Sequence, residues 1–229
     1  MQDPNIEVLR TVVHKLGDLA NDLVFIGGSV IGLYIKDQNV TGIRPTKDVD
    51  CVVEATSRAE YEIISKKLRA KGFNEDSQSD VIGRFRSGPL ILDVIPTDKK
   101  ILGYSNRWYE SGIRSSITID LGGALKLRVF AVPYLMASKV DAFKGRGLGD
   151  FRLSSDIEDL ITLFDGIADL PNQLIAAPID VKNFLSGAFK RWLITDDFLE
   201  SIDGHISDRL NLDGRKKIIV ARIKKFTEA

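Results

Sequence analysis

Two aspartates separated by one residue, Asp48-Val49-Asp50, open a short apolar segment. In an extended strand successive side chains point to opposite faces, so Asp48 and Asp50 share one face, about 7 Å apart, and Val49 and Cys51 the other. Carboxylates that close repel unless a cation or water lies between them. A hard divalent ion such as Mg²⁺ takes oxygen ligands, commonly one or two carboxylates plus substrate phosphates. An isolated Asp-x-Asp also fits a solvated strand end. A third acid, Asp93, interrupts Leu90-Ile-Leu-Asp-Val-Ile95, a run apolar on both faces and therefore read as a central strand. Burying a carboxylate there is costly unless it is paired or ligates a metal. Two readings stay open: Asp93 is a third metal-facing acid, or it satisfies Arg84 or Arg86 on a neighbouring strand.

Gly27-Gly28-Ser29 lies where an apolar strand, Leu23 to Ile26, gives way to a segment that reads as a helix, Ser29 to Lys36. A glycine turn before a helix points backbone N–H groups outward, and a helix N-terminus favours a phosphate. Ser29 adds a hydroxyl donor or caps the helix. The Walker pattern Gly-x-x-x-x-Gly-Lys-Ser/Thr is absent, and a plain tight turn also fits three such residues.

The elements that must position these residues follow from hydrophobic period and punctuation. Helices are predicted over Ile6 to Ala20 and Ser57 to Lys71, with a polar loop from Asp37 to Lys47. Strands are predicted over Asp48 to Val53, Val81 to Phe85, Leu90 to Ile95, Ser116 to Leu121 and Leu125 to Val132. Ser87-Gly88-Pro89 joins the two middle ones as a hairpin. Past Pro133 only helical patterns remain: Pro133 to Lys144, Ser155 to Phe164, Val181 to Leu193 and Arg215 to Phe226. The expected fold is α+β, a mixed sheet with helices over residues 1–132 and a helical domain over 133–229. In the first of these later helices Lys139 falls inside the apolar stripe of Leu135, Met136, Val140 and Phe143, so it must snorkel out or meet an anion. Ser155-Asp-Ile-Glu158 fits a capping box. It leaves Asp156 at the margin of the buried stripe, where a capping and a substrate role are both open, and puts Asp159 near solvent.

A glycine turn, two acids on the next strand and a third on a later strand, taken together, fit a two-metal phosphoryl-transfer site. Over residues 23–95 this order resembles the nucleotidyltransferase superfamily, the DNA polymerase β-like fold. Arg44-Pro-Thr-Lys-Asp-Val-Asp50, Lys139 to Arg146 and Asp156-Ile-Glu-Asp159 look like the AbiEii-type nucleotidyltransferases, which include toxins of toxin–antitoxin systems. The match is loosest between Ser29 and Asp48 and over Asp98 to Ser115.

The resemblance implies transfer of a nucleoside monophosphate from an NTP, releasing pyrophosphate. Asp48 and Asp50 would bridge two Mg²⁺ ions, and Asp93 would hold the ion beside the acceptor oxygen. Gly27, Gly28 and Ser29 would seat phosphates, and Lys139 and Asp156 would complete the nucleotide site. Arg44 and Arg146 are phosphate contacts or solvated loop residues. The acceptor is RNA, tRNA included, or a small molecule as in antibiotic adenylyltransferases, and a cognate antitoxin is an expected partner. Arg215 to Phe226 carries six basic residues and no acid, suited to an RNA backbone or to an amphipathic surface helix. A non-catalytic nucleotide-binding module of the same fold is the remaining alternative.

Composition narrows the classes. Lys plus Arg and Asp plus Glu number 32 each in 229 residues, so no net positive charge draws the chain to nucleic acid. One cysteine excludes an intrachain disulfide framework and a thiolate cluster, and two distant histidines, His14 and His205, argue against a histidine zinc site. No run approaches the roughly 18 apolar residues of a membrane span, and Met1 to Glu7 lacks the pattern of a secretory signal. A cytoplasmic location is the expectation.

Overall fold

A computed structural model describes residues 3–37, 40, 42–146 and 149–229, except the side chain of Arg146. Residues 38, 39 and 41 of the polar loop expected over Asp37 to Lys47 lie outside the described residues, as does the Arg146 side chain. The chain divides into two compact units. One takes the described residues up to Leu33 with Pro45–Ala131, and the other takes Tyr34–Arg44 with Val132–Ala229. The fold is α+β: a seven-stranded mixed sheet with helices, followed by helices alone.

The sheet unit opens with α1 (Pro4–Leu16), whose N-cap Asp3 accepts from the Asn5 N–H at 2.9 Å and whose Leu9, Val12, Val13 and Leu16 are buried. The strands are β1 (Val24–Ile26), β2 (Val49–Val53), β3 (Asn74–Glu75), β4 (Arg84–Ser87), β5 (Leu90–Pro96), β6 (Ile117–Gly122) and β7 (Leu125–Val129). Their order is β3-β4-β5-β2-β1-β7-β6, so β2 is the middle strand and β5 its interior neighbour. β2 runs parallel to β5 and antiparallel to β1, and β4 is antiparallel to β5. Val94 and Leu92 are fully buried, which explains why β5 reads as an apolar run. The hairpin turn is the two residues Gly88-Pro89, with Gly88 at φ 59°, as a tight two-residue loop requires at its first position.

Helix α2 (Arg58–Ala70) starts where Ser57 Oγ accepts from the Glu60 N–H at 3.2 Å. Two short helices, α3 (Lys99–Leu102) and α4 (Tyr109–Arg114), fill the stretch from Asp98 to Ser115 that carried no sequence pattern. Among the described residues the second unit holds, besides Tyr34–Arg44, the helices α5 (Val132–Arg146), α6 (Ser155–Gly166), α7 (Leu170–Ile175), α8 (Ile179–Trp192), α9 (Asp196–His205) and α10 (Leu212–Thr227). Its core is aromatic, with Phe143, Phe151, Phe164, Phe189, Trp192 and Phe198 meeting at centroid distances of 5.0–5.6 Å, mostly edge to face.

Two expectations are corrected. The helix expected from Ser29 to Lys36 is a single 3₁₀ turn, Ile31–Leu33, closed by Ile31 N–H to Gly28 O at 3.2 Å and Leu33 N–H to Val30 O at 3.1 Å. Gly32 and the β-branched Val30, Ile31 and Ile35 lower helix propensity there, and tertiary burial supplies the apolar pattern instead. The cap of α6 is Ser154, one residue earlier than the capping box places it, accepting from the Ile157 N–H at 3.4 Å.

Candidate functional site

β2 carries Asp50, and its parallel pairing with β5 sets Asp50 directly opposite Asp93. The antiparallel pairing of β5 with β4 then sets Asp93 opposite Arg84. Directly paired residues share a face, so Asp50, Asp93 and Arg84 form a row across three strands, with Asp48 two residues before Asp50 on the same side. Arg84 Nε donates to Asp93 Oδ1 at 2.8 Å, and Nη2 donates to both Asp93 Oδ2 at 2.7 Å and Asp48 Oδ2 at 2.6 Å. Asp93 is only 5% exposed and the Arg84 side chain 16%. Of the two readings open for Asp93, the arginine pairing is present, and the partner is Arg84; Arg86 is bonded to Asp76 instead. The acids nonetheless gather on one face, and two of them converge on a single nitrogen.

The charges at this face reach their neighbours. The hydrogen bonds that Arg84 donates to Asp93, and the charges of Asp93 and Asp48, hold its guanidinium above its ordinary pKa against the opposing effect of burial. Burial foremost, then the Asp50 and Asp93 charges, push the Cys51 thiol well up. The Tyr104 phenol, which donates to Ile82 O at 2.8 Å, is pushed up to about 12 by burial and then by Asp93 and Asp50.

The glycine turn closes the site on the β1 side. Gly27 sits at φ +78°, and a Cβ there would lie 2.0 Å from Asp50 Oδ2. The Asp50 carboxylate therefore lies against the turn, and only glycine leaves room for it. Ser29 is 1% exposed, and its Oγ finds no hydrogen-bond partner among the described residues. A buried hydroxyl without a partner costs about 1–3 kcal/mol unless a ligand or water supplies one. Only a single 3₁₀ turn follows, so the helix dipole expected at the glycine turn is missing.

These residues fit the donor chemistry of Mg²⁺, since one or two carboxylates plus phosphate oxygens suffice for it. The converging pair is Asp48 and Asp93, with Asp50 beside them against Gly27. Among the described residues no three acidic, histidine or cysteine groups close on one point as a ready-made metal cage. The guanidinium of Arg84 takes the cationic position between the two acids.

Lys139 and Asp156, also expected at the site, belong to the helical unit. Lys139 is 5% exposed and does meet an anion, forming an ion pair with Asp159 at 2.5 Å and with Asp156 at 3.8 Å. Asp159 is buried, which corrects its expected position near solvent. Arg44 pairs with Glu158 at 3.1 Å and Asp159 at 3.3 Å. Of the six basic residues of α10, Arg215 is buried on Asp165 and Asp37, Arg222 donates to Phe164 O and Asp165 O, and Lys216 pairs with Asp203. Lys217, Lys224 and Lys225 are exposed.

No protein-family model matches the chain, and no curated protein matches it. Its structure is similar to a solved structure described as a "putative nucleotidyltransferase from H. pylori", with a TM-score of 0.49 and 11% identity, over 98% of this chain and 93% of that one.

Proposed function

We propose that the acid face of the sheet unit is the site of a metal-dependent nucleotidyltransferase. In the reaction an acceptor oxygen bonds to the α-phosphorus of an NTP, the bond from that phosphorus to the α–β bridging oxygen breaks, pyrophosphate leaves and the acceptor proton passes to water. The observation that carries the reading is the convergence of Asp48 and Asp93 on one cation, in a row with an Asp50 held against the glycine turn. Asp48, Asp50 and Asp93 are the residues that would hold Mg²⁺, two ions in the full reading, and the metal supplies charge neutralisation at the transferring phosphoryl group. Gly27 and Gly28, both half-buried, would offer backbone N–H groups to phosphate oxygens, and the buried Ser29 hydroxyl is a donor in want of an acceptor. The resemblance to the toxin–antitoxin group makes RNA, tRNA included, the first acceptor to test and a cognate antitoxin the partner to seek.

The Arg84 clamp favours a second reading, a nucleotide-binding module without transfer, because an arginine already neutralises two of the three acids. The two part in one experiment. The protein is incubated with Mg²⁺, each α-labelled NTP and a cell lysate, beside an Asp48→Ala/Asp50→Ala control. Label in RNA or in a small molecule with the native protein, absent from the control, supports transfer and names the acceptor class. NTP binding with no pyrophosphate release supports the module.

A further inference from the structure

We propose that Arg84 is a resident cation that competes with the divalent metal for Asp48 and Asp93, so that the site admits metal only as the guanidinium lets go. The inference rests on the metal-site reading above and assigns the arginine a role within it. Three carboxylates gathered on one sheet face would repel one another, and Asp93, almost fully buried, needs a cationic partner to offset the cost of its burial. One planar guanidinium meets both needs. It grips Asp93 with two parallel bonds, the fork geometry an arginine offers a carboxylate, and holds Asp48 with a third.

Arg84 Nη2 lies 2.6 Å from Asp48 Oδ2 and 2.7 Å from Asp93 Oδ2, and so fills the space between the two oxygens that a shared metal ion would use. Two cations at that contact distance repel strongly in a half-buried site. Metal entry therefore requires the guanidinium to withdraw. The grip is uneven: Asp48 is held by one bond and its side chain is 33% exposed, whereas Asp93 is held by two and is 7% exposed. Release begins at Asp48. Arg86 does not share the task, being bonded to Asp76.

The test reads the metal alone, with no nucleotide and no activity. Mn²⁺ binding to the full chain is followed by the electron paramagnetic resonance of the free ion for the native protein, Arg84→Met and Arg84→Lys. Removing the competitor is expected to tighten Mn²⁺ binding about tenfold or more in Arg84→Met. Arg84→Lys, which keeps the charge but cannot bridge both acids through one fork, falls between. In the native protein the Arg84 Nε–H, slow to exchange while bonded to Asp93, is expected to lose its protection when saturating Mg²⁺ is added. If Arg84→Met does not fold, Arg84→Lys and the Nε–H signal decide. Mn²⁺ binding that is unchanged or weaker without Arg84, or an Nε–H that stays protected at saturating Mg²⁺, overturns the inference and leaves the metal site standing. No Mn²⁺ binding in any of the three overturns the metal site itself.

Discussion

A carboxylate inside an apolar strand offsets the cost of burial with a metal or with an arginine, and Asp93 has its arginine in Arg84. The acid keeps to the same sheet face as Asp50 while its two oxygens are taken by Arg84. Removing the charge at 93 therefore removes two charge-assisted bonds and leaves the guanidinium holding Asp48 alone. Asp93→Asn is expected to destabilise the metal-free protein by about 1–3 kcal/mol, below the range for a wholly buried pair because Arg84 keeps some solvent contact. Urea denaturation measures it. A variant as stable as the native protein would mean that the clamp contributes nothing to folding and that Asp93 is free to serve a metal at no structural cost.

At the scale of elements, the site is an outcome of pairing register and one turn. Gly27 ends β1 in a conformation that L side chains rarely adopt, and it does so directly beneath the Asp50 carboxylate. Gly27→Ala adds both backbone strain and a methyl group on top of that carboxylate. It is expected to cost about 1–3 kcal/mol in thermal or urea unfolding and to weaken Mn²⁺ binding by displacing Asp50, whereas Gly88→Ala, with open space around it, changes stability without changing metal binding. The row of Asp50, Asp93 and Arg84 was partly legible beforehand. A two-residue Gly88-Pro89 loop fixes Ser87 opposite Leu90, and counting back along both strands puts Arg84 opposite Asp93. A strand placed over Val81 to Phe85 rather than Arg84–Ser87 hides that arithmetic and leaves Arg84 and Arg86 as equal partners. The segment after Ser29 misled for another reason: its apolar spacing is helical, but the spacing reports burial, and Gly32 with its β-branched neighbours makes only one 3₁₀ turn. The helices α3, α4 and α7 carry no signal because helices this short, held by their surroundings, need little periodicity of their own.

At the scale of the molecule, the sheet unit alone accounts for the proposed chemistry. Asp48, Asp50, Asp93, Arg84 and the glycine turn all belong to it, while in the helical unit Lys139 is paired with Asp156 and Asp159. Composition was sound for the class of fold and silent on the acceptor. Acids and bases balance over the chain, and half of the basic residues of α10 are spent on internal partners that no linear pattern reveals, because Asp37 and Asp165 reach Arg215 only through the fold. No described helix is long and apolar enough to cross a membrane. In the proposed site the acids at 48, 50 and 93 hold divalent metal beside a bound nucleotide. The most direct measurement is an anomalous difference map from crystals grown with Mn²⁺ and a non-hydrolysable NTP analogue. The account predicts Mn²⁺ density against these three carboxylates, the triphosphate at Gly27-Gly28-Ser29, and Arg84 withdrawn from Asp48. A nucleotide bound with no Mn²⁺ at the acids and the Arg84 bridge intact would contradict it.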